Sequence, residues 1–218
     1  MSEAIQKTIE GDLHSGGPCL FVSNHVSWID IPILSAIVPL SFVAKREVGG
    51  WTLFGTLARL QRTVFVDRDR GRSTPGALDE IRSRLEQGDS LVLFPEGTSS
   101  NGFRVLNFKS ALFAIAEETG VAVQPVTLAY RGHWGIPMTR RHMPIYAWYG
   151  GMAMEPHLWH AAGSGPIDVT VVCHPPIAAG AGGDRKRIAK MAEALVRDGL
   201  VRVLTGGPRS SYIPGGAS

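Results

Sequence analysis

The sequence predicts an α/β fold: a single domain with one mixed central β-sheet flanked by helices. Three observations carry this expectation. Short apolar runs alternate with stretches of helical spacing along most of the chain. The C-terminal half is rich in strand candidates, which makes the sheet mixed rather than purely parallel. No internal repeat or linker divides the 218 residues, a length that suits one sizeable core. Residues 1–204 are expected to form the domain, and 205–218 (TGGPRSSYIPGGAS) a flexible tail.

Residues 18–23 (PCLFVS) read as the first strand, and a helix follows near 31–38. Residues 41–44 form a second short strand, and 50–60 show helical spacing through Trp51, Phe54, Leu57 and Ala58. Residues 63–66 are β-branched and aromatic, hence a strand. Helix 75–87 places Leu78, Ile81 and Leu85 on one face and stops at Gly88. The continuous apolar run 90–94 suits a buried strand. A helix over 108–119, closed by Gly120, leads into a strand over 121–128. Further strands are expected at 145–148 and 167–173. The last helix, over 184–197, carries Ile188, Met191, Ala192 and Leu195 on one face, with Gly199 as its stop.

Composition narrows the function classes. At 44% hydrophobic and 19% charged the chain is neither disordered nor fibrous. Net charge is only +3, but residues 45–72 hold seven basic side chains against three acids. Such an excess suits an anionic partner, or else a solvated face. Nucleic acid is not the expected partner, because the aromatic residues sit within apolar runs rather than between the cations. Cys19 and Cys173 lie far apart inside apolar runs and read as reduced core residues, as in a cytosolic setting.

No window reaches the roughly 18 apolar residues of a membrane span. The best stretch, 31–44, is short and carries Pro32 and Pro39, and the N-terminus lacks signal-peptide character. Any membrane association is therefore expected to be peripheral, on the cytoplasmic face, or supplied by an N-terminal anchor that this chain lacks.

The chemistry concentrates in three stretches. In SNHVSWIDIPIL, His25 and Asp30 stand five apart where an apolar run begins. Helix neighbours lie three or four apart, so the pair must straddle a change of backbone direction. Ser27-x-x-Asp30 fits a capping box, whereas Pro32 fits better if the helix starts nearer Asp30. Either register leaves His25 in the preceding loop. An aspartate accepting the Nδ1–H of His25 would leave Nε2 as a base; a helix cap beside an unrelated loop histidine is the other reading. No Gly-x-Ser-x-Gly elbow supplies a nucleophile. A base of this kind would act on a hydroxyl of the substrate itself.

In TVFVDRDRGR a strand runs into Arg68, Arg70 and Arg72, whose forks suit phosphate or carboxylate, or surface pairing with Asp67 and Asp69. In LVLFPEGTSSNG, Glu96, Gly97 and Thr98 leave a buried strand together. Gly97 lets the backbone approach a ligand.

The order NHVSWID, VFVDR, FPEGTSS, VQPV resembles the glycerolipid acyltransferase family typified by lysophosphatidic acid acyltransferase, over about residues 11–197. The resemblance implies an O-acyltransferase at a membrane surface that needs neither cofactor nor metal. It would move a fatty acyl group from acyl-CoA or acyl-carrier protein to a lyso-lipid hydroxyl. The acceptor it implies first is 1-acyl-sn-glycerol-3-phosphate. A non-catalytic protein binding lipid or acyl carrier is the alternative of another class. His25 would be the general base and Asp30 its orienting partner. Arg68, Glu96 and Gly97, with Thr98 and Arg62 beside them, would bind the acceptor, and Pro125 would serve the donor or packing. The chain departs from the family pattern in two places: Ser99 stands where the third motif has arginine, and Arg62 where the second opens with glycine. These departures leave room for a lyso-ornithine lipid acceptor. WYGGMAMEPHLW resembles bacterial members of that branch, and His157 within it reads as structural. Trp51, Leu53, Phe54 and Leu57 would form either an interfacial patch or a core face.

Overall fold

Five apolar runs become parallel neighbours along one side of a single sheet. The structure, a computed structural model, describes residues 5–37, 41–45, 64–66, 75–178 and 184–208. Its strands are β1 (Ile5–Glu10), β2 (Cys19–Ser23), β3 (Ser41–Lys45), β4 (Val64–Val66), β5 (Leu91–Leu93), β6 (Ala122–His133), β7 (Ile136–Pro137) and β8 (Ile167–Cys173). They form an eight-stranded sheet in the order β1-β8-β6-β2-β5-β3-β4, with β7 hairpinned onto β6. β6, β2, β5, β3 and β4 run parallel, whereas β8 lies antiparallel to β6. The sheet is mixed, as the strand-rich C-terminal half implied.

Period-two alternation divides the apolar residues between the two faces. Leu20, Val22, Leu91, Leu93 and Val123 meet α2 (Pro75–Glu86) and α6 (Arg185–Leu204) through Ile81, Leu85, Ile188, Ala192 and Val196. A 3-10 turn at Ser110–Phe113 running into α3 (Ala114–Thr119) packs on the same face through Phe113 and Ile115. On the other face Phe21, Val92, Val126, Leu128 and Tyr130 meet α1 (Asp30–Ser35), α4 (Met143–Tyr146) and α5 (Met154–Gly163). The result is three layers, helix on sheet on helix.

Several expectations change. Residues 145–148 are not a strand: Met143–Tyr146 is a single helical turn with Pro144 near its start. Its buried residues Tyr146 and Ala147 lie three and four positions after buried Met143, a helical spacing that the short apolar run disguised. The last helix does not stop at Gly199 but continues to Leu204. Gly199 is buried inside it for close packing, since a Cβ there would lie 2.5 Å from Thr127 Oγ1 and 2.8 Å from the His174 ring. β6 runs five residues beyond 128, because its second half pairs with β8.

The parallel edge strand β1 and helix α5 were not anticipated. β1 is largely polar and pairs with the distant β8, so it carries no local signal. In α5 the neighbouring Gly150 and Gly151, with Pro156, read as breakers, although Pro156 falls harmlessly in the first turn. The expected helix at 50–60, Arg62, Arg68 and the tail beyond residue 208 lie outside the described residues.

Candidate active site

Parallel pairing of β2 with β5 sets Val22 beside Leu93, so the loops that follow both strands leave the same edge together. That is where ligands bind in open α/β sheets. His25 comes from the first loop and Glu96 from the second.

The first loop is locked by its own polar atoms. Asn24, fully buried, donates from Nδ2 to the Leu128 carbonyl at 2.9 Å and accepts from the Leu128 amide at 2.8 Å. This two-point clamp fixes the loop on β6. The helix begins late, as Pro32 suggested, with Ile29 as its N-cap and Asp30 its first residue. Ser27 caps nothing with its side chain: its buried Oγ has no partner among the described residues, while its carbonyl accepts from the Asp30 amide. Only half of the capping box forms: Asp30 folds back onto the Ser27 amide, but the Ser27 hydroxyl returns no bond, and the same carboxylate serves further donors.

Asp30 is fully buried, and four donors converge on its carboxylate. Oδ2 accepts from His25 Nδ1 at 2.8 Å, the Val26 amide at 2.7 Å and the Ser27 amide at 3.0 Å. Oδ1 accepts from the Tyr130 hydroxyl at 2.6 Å. Burial and the nearby Asp30 charge push the Tyr130 hydroxyl well above its ordinary pKa, so it remains a donor. The His25 ring stacks on Phe94, with centroids 4.2 Å apart. Its carbonyl accepts from the Ser100 amide at 2.8 Å, tying the two loops together. With Nδ1 donating to Asp30, Nε2 becomes the acceptor. Nε2 has no partner among the described residues, and the side chain keeps 20% exposure to solvent.

Glu96 is the opposite case. It is 3% exposed, and neither carboxylate oxygen has a hydrogen-bond partner among the described residues. Burial pushes its carboxyl up to about 8, and the charges of Asp30 and Glu193 add to the rise. The nearby Leu106 and His25 amides pull the other way without fully compensating. Gly97 takes a left-handed conformation at φ +75°, and a Cβ there would lie 2.4 Å from Lys109 Nζ. Lys109 thus brings an exposed ammonium over the Gly97 turn. Thr98 is exposed beside it, and Ser99 Oγ is turned away to donate to the Trp148 carbonyl.

His25, Asp30, Glu96 and Gly97 therefore meet at one sheet edge. Pro125 lies buried in β6, on the α6 side by alternation with Val123 and Ala129, which favours the packing reading. His157 accepts at Nδ1 from Trp28 Nε1 at 3.1 Å and donates from Nε2 to the Ala147 carbonyl at 3.2 Å. Both ring nitrogens are used, and burial holds its pKa below the ordinary imidazole value, as a structural histidine requires. Neither cysteine is a nucleophile in waiting: burial pushes Cys19 to about 12 and Cys173 to about 11.

Sequence reasoning missed Asn24, Tyr130 and Lys109. Tyr130 left a faint trace, a hydroxyl two and four residues beyond Leu128 and Val126 on a buried strand face, where it must find a partner. Lys109 left none.

The family model described as Acyltransferase matches residues 4–129. A lyso-ornithine lipid O-acyltransferase of Brucella abortus is 47% identical over 203 residues, covering 90% of this chain and 76% of that protein. One of Rhizobium meliloti is 40% identical over 210 residues, covering 93% and 72% respectively. The crystal structure of a 1-acyl-sn-glycerophosphate (LPA) acyltransferase from Thermotoga maritima superposes with a TM-score of 0.68 at 26% identity. It covers 90% of this chain and 71% of that one.

Proposed function

Because the chain belongs to the acyltransferase family, we propose that it transfers a fatty acyl group from a thioester to the hydroxyl of a lyso-lipid, with lyso-ornithine lipid as the acceptor. The observation that carries the reading is His25: anchored at Nδ1 by a buried carboxylate, backed by Phe94, and open at Nε2. In the reaction Nε2 takes the proton of the acceptor hydroxyl as its oxygen attacks the thioester carbonyl. The new C–O bond forms, the C–S bond breaks, and the imidazolium returns its proton to the departing thiolate. Asp30 orients the ring and stabilises its charged form, as in other base-orienting pairs. No acyl-enzyme is required, in keeping with two deeply buried, protonated thiols.

Glu96, the Gly97 turn, Thr98 and Lys109 form the acceptor subsite, with Arg62 and Arg68 as further contributors from the sequence pattern. Glu96 accepts or donates a hydrogen bond to the head group, and Lys109 meets its anionic group. Ser99 supplies no cation, and its hydroxyl is committed to Trp148. This weakens the site for a phosphate dianion and suits a zwitterionic head bearing one carboxylate.

A second reading, lysophosphatidate as acceptor, keeps the support of the likeness to the Thermotoga maritima structure. Acyl-CoA or acyl-carrier protein is the donor, and the work is done at the cytoplasmic face of a membrane. Trp134 (62% exposed), Ile136 (54%) and Trp159 (71%) favour contact with a bilayer surface. Among the described residues no helix is long and apolar enough to cross a membrane. An acceptor panel tests the assignment: lyso-ornithine lipid should be acylated faster than lysophosphatidate by the purified chain. The reverse order replaces the first acceptor with the second, and no transfer to either rejects both.

A further inference from the structure

Next to the catalytic loop lies an open cleft of about 480 Å³, lined by Asn101, Phe103, Arg104, Arg140, Met143 and Tyr149. Its chemistry is one-sided. Arg104 and Arg140 are both exposed, neither has an ion-pair partner among the described residues, and no carboxylate lines the cleft. Phe103 and Tyr149 are half-buried and line the same cleft.

The cleft wall is bonded to the catalytic machinery. Ser100 gives its amide to the His25 carbonyl and its hydroxyl to the Arg104 carbonyl. Gly102 turns the chain at φ +77°, so tightly that a Cβ would lie 2.9 Å from Met143 Sδ and 3.1 Å from Val26 Cγ1. Val26 in turn gives its amide to Asp30. One turn therefore delivers Phe103 and Arg104 to the cleft while resting on the loop that holds His25.

We infer that this cleft binds the phosphate of the phosphopantetheine arm of the acyl donor, the group that acyl-CoA and acyl-carrier protein share. This rests on the acyl-transfer reading, which requires a thioester to be presented to His25. The arm carries its thioester at one end and a phosphate at the other, a phosphodiester on acyl-carrier protein and one half of the diphosphate in acyl-CoA. Two arginine forks with no ion-pair partner among the described residues suit that phosphate, and the aromatic walls suit the gem-dimethyl and methylene groups beside the arm's two amides. The binding site for the donor is thereby separate from the acceptor subsite around Glu96 and Lys109.

Equilibrium binding of 4′-phosphopantetheine and of pantetheine to the whole chain tests this without turnover. The phosphorylated form should bind about tenfold tighter, and R104S/R140S should abolish the difference. Equal affinity in the unmodified protein, or a preference that survives the double substitution, overturns the assignment. Kinetics separate the donors: R104S/R140S should raise the KM for both acyl-CoA and acyl-carrier protein about tenfold, and leave the acceptor KM unchanged. A rise for the carrier protein alone overturns it as well, because the arginines would then meet the carrier's surface. If phosphopantetheine binds as expected but no acyl group moves, the cleft stands and the acyl-transfer reading falls.

Discussion

Asp30 and Glu96 are two buried carboxyl groups beside the ends of neighbouring strands, yet their surroundings are opposite. Asp30 receives four donors, two of them backbone amides of its own loop, and is complete before any ligand arrives. Glu96 receives no comparable donor among the described residues, only the nearby Leu106 and His25 amides, and burial raises its pKa to about 8. A carboxylate already engaged by four donors can hold a neighbouring ring in place and stabilise its charge. A carboxyl without partners carries an unmet desolvation cost, and a substrate's polar head can relieve that cost. The contrast separates an orienting group, prepared in advance, from a binding group that waits.

Asp30→Asn should have the largest effect on this contrast. The amide oxygen can still accept from His25 and the two backbone amides, and its NH2 can donate to the Tyr130 hydroxyl. What is lost is the negative charge opposite the imidazolium, so kcat should fall by about 10²–10⁴-fold, read by thioester consumption. A near-normal kcat would mean that Asp30 only holds the loop.

Glu96→Gln should act through pH. The folded protein keeps a proton on Glu96 up to about pH 8, whereas the unfolded chain releases it near the ordinary value of 4.5. Stability should therefore fall as pH rises between those values, by up to about 1.4 kcal/mol per pH unit. Glu96→Gln should flatten that slope in urea unfolding at pH 5, 6, 7 and 8, and it should raise the acceptor KM. An unchanged slope would show that Glu96 is already ionised and paired.

Tyr130→Phe removes one of the four donors and leaves Asp30 Oδ1 bare in the core. The expected cost is about 1–2 kcal/mol of stability. A decline in kcat of about tenfold or less should accompany it, with the alkaline limb of the pH profile retained. Gly199→Ala touches neither carboxyl. It forces a methyl group against Thr127 and His174, so the urea midpoint should drop by about 1–3 kcal/mol equivalent, with kcat unaltered.

The parts of this architecture visible in the sequence share one property: their signal is local. Central strands β2 and β5 are continuous apolar runs because both their faces are covered, and helices α2 and α6 announce themselves by one apolar face. His25 and Asp30 were legible because their spacing fits no helix face and therefore demands a turn. Tyr130 belongs to the same cluster, but it reaches Asp30 from a strand a hundred residues away, and nothing near it in sequence marks that contact. Lys109 reaches Gly97 in the same non-local way. β1 borrows its order from β8, and α4 and α5 hide behind proline and glycine that fall at their starts. The stop expected at Gly199 failed because a glycine also serves where a helix and a strand must come close.

The central claim is that His25 acts as a base on the acceptor, without a covalent acyl-enzyme. Thioester consumption by the purified chain and by His25→Ala, each with and without lyso-lipid, tests it most directly. The unmodified protein should release thiol only when the acceptor is present, and His25→Ala should release none above background under either condition. Undiminished turnover in His25→Ala, or a stoichiometric burst of thiol without acceptor, would contradict it.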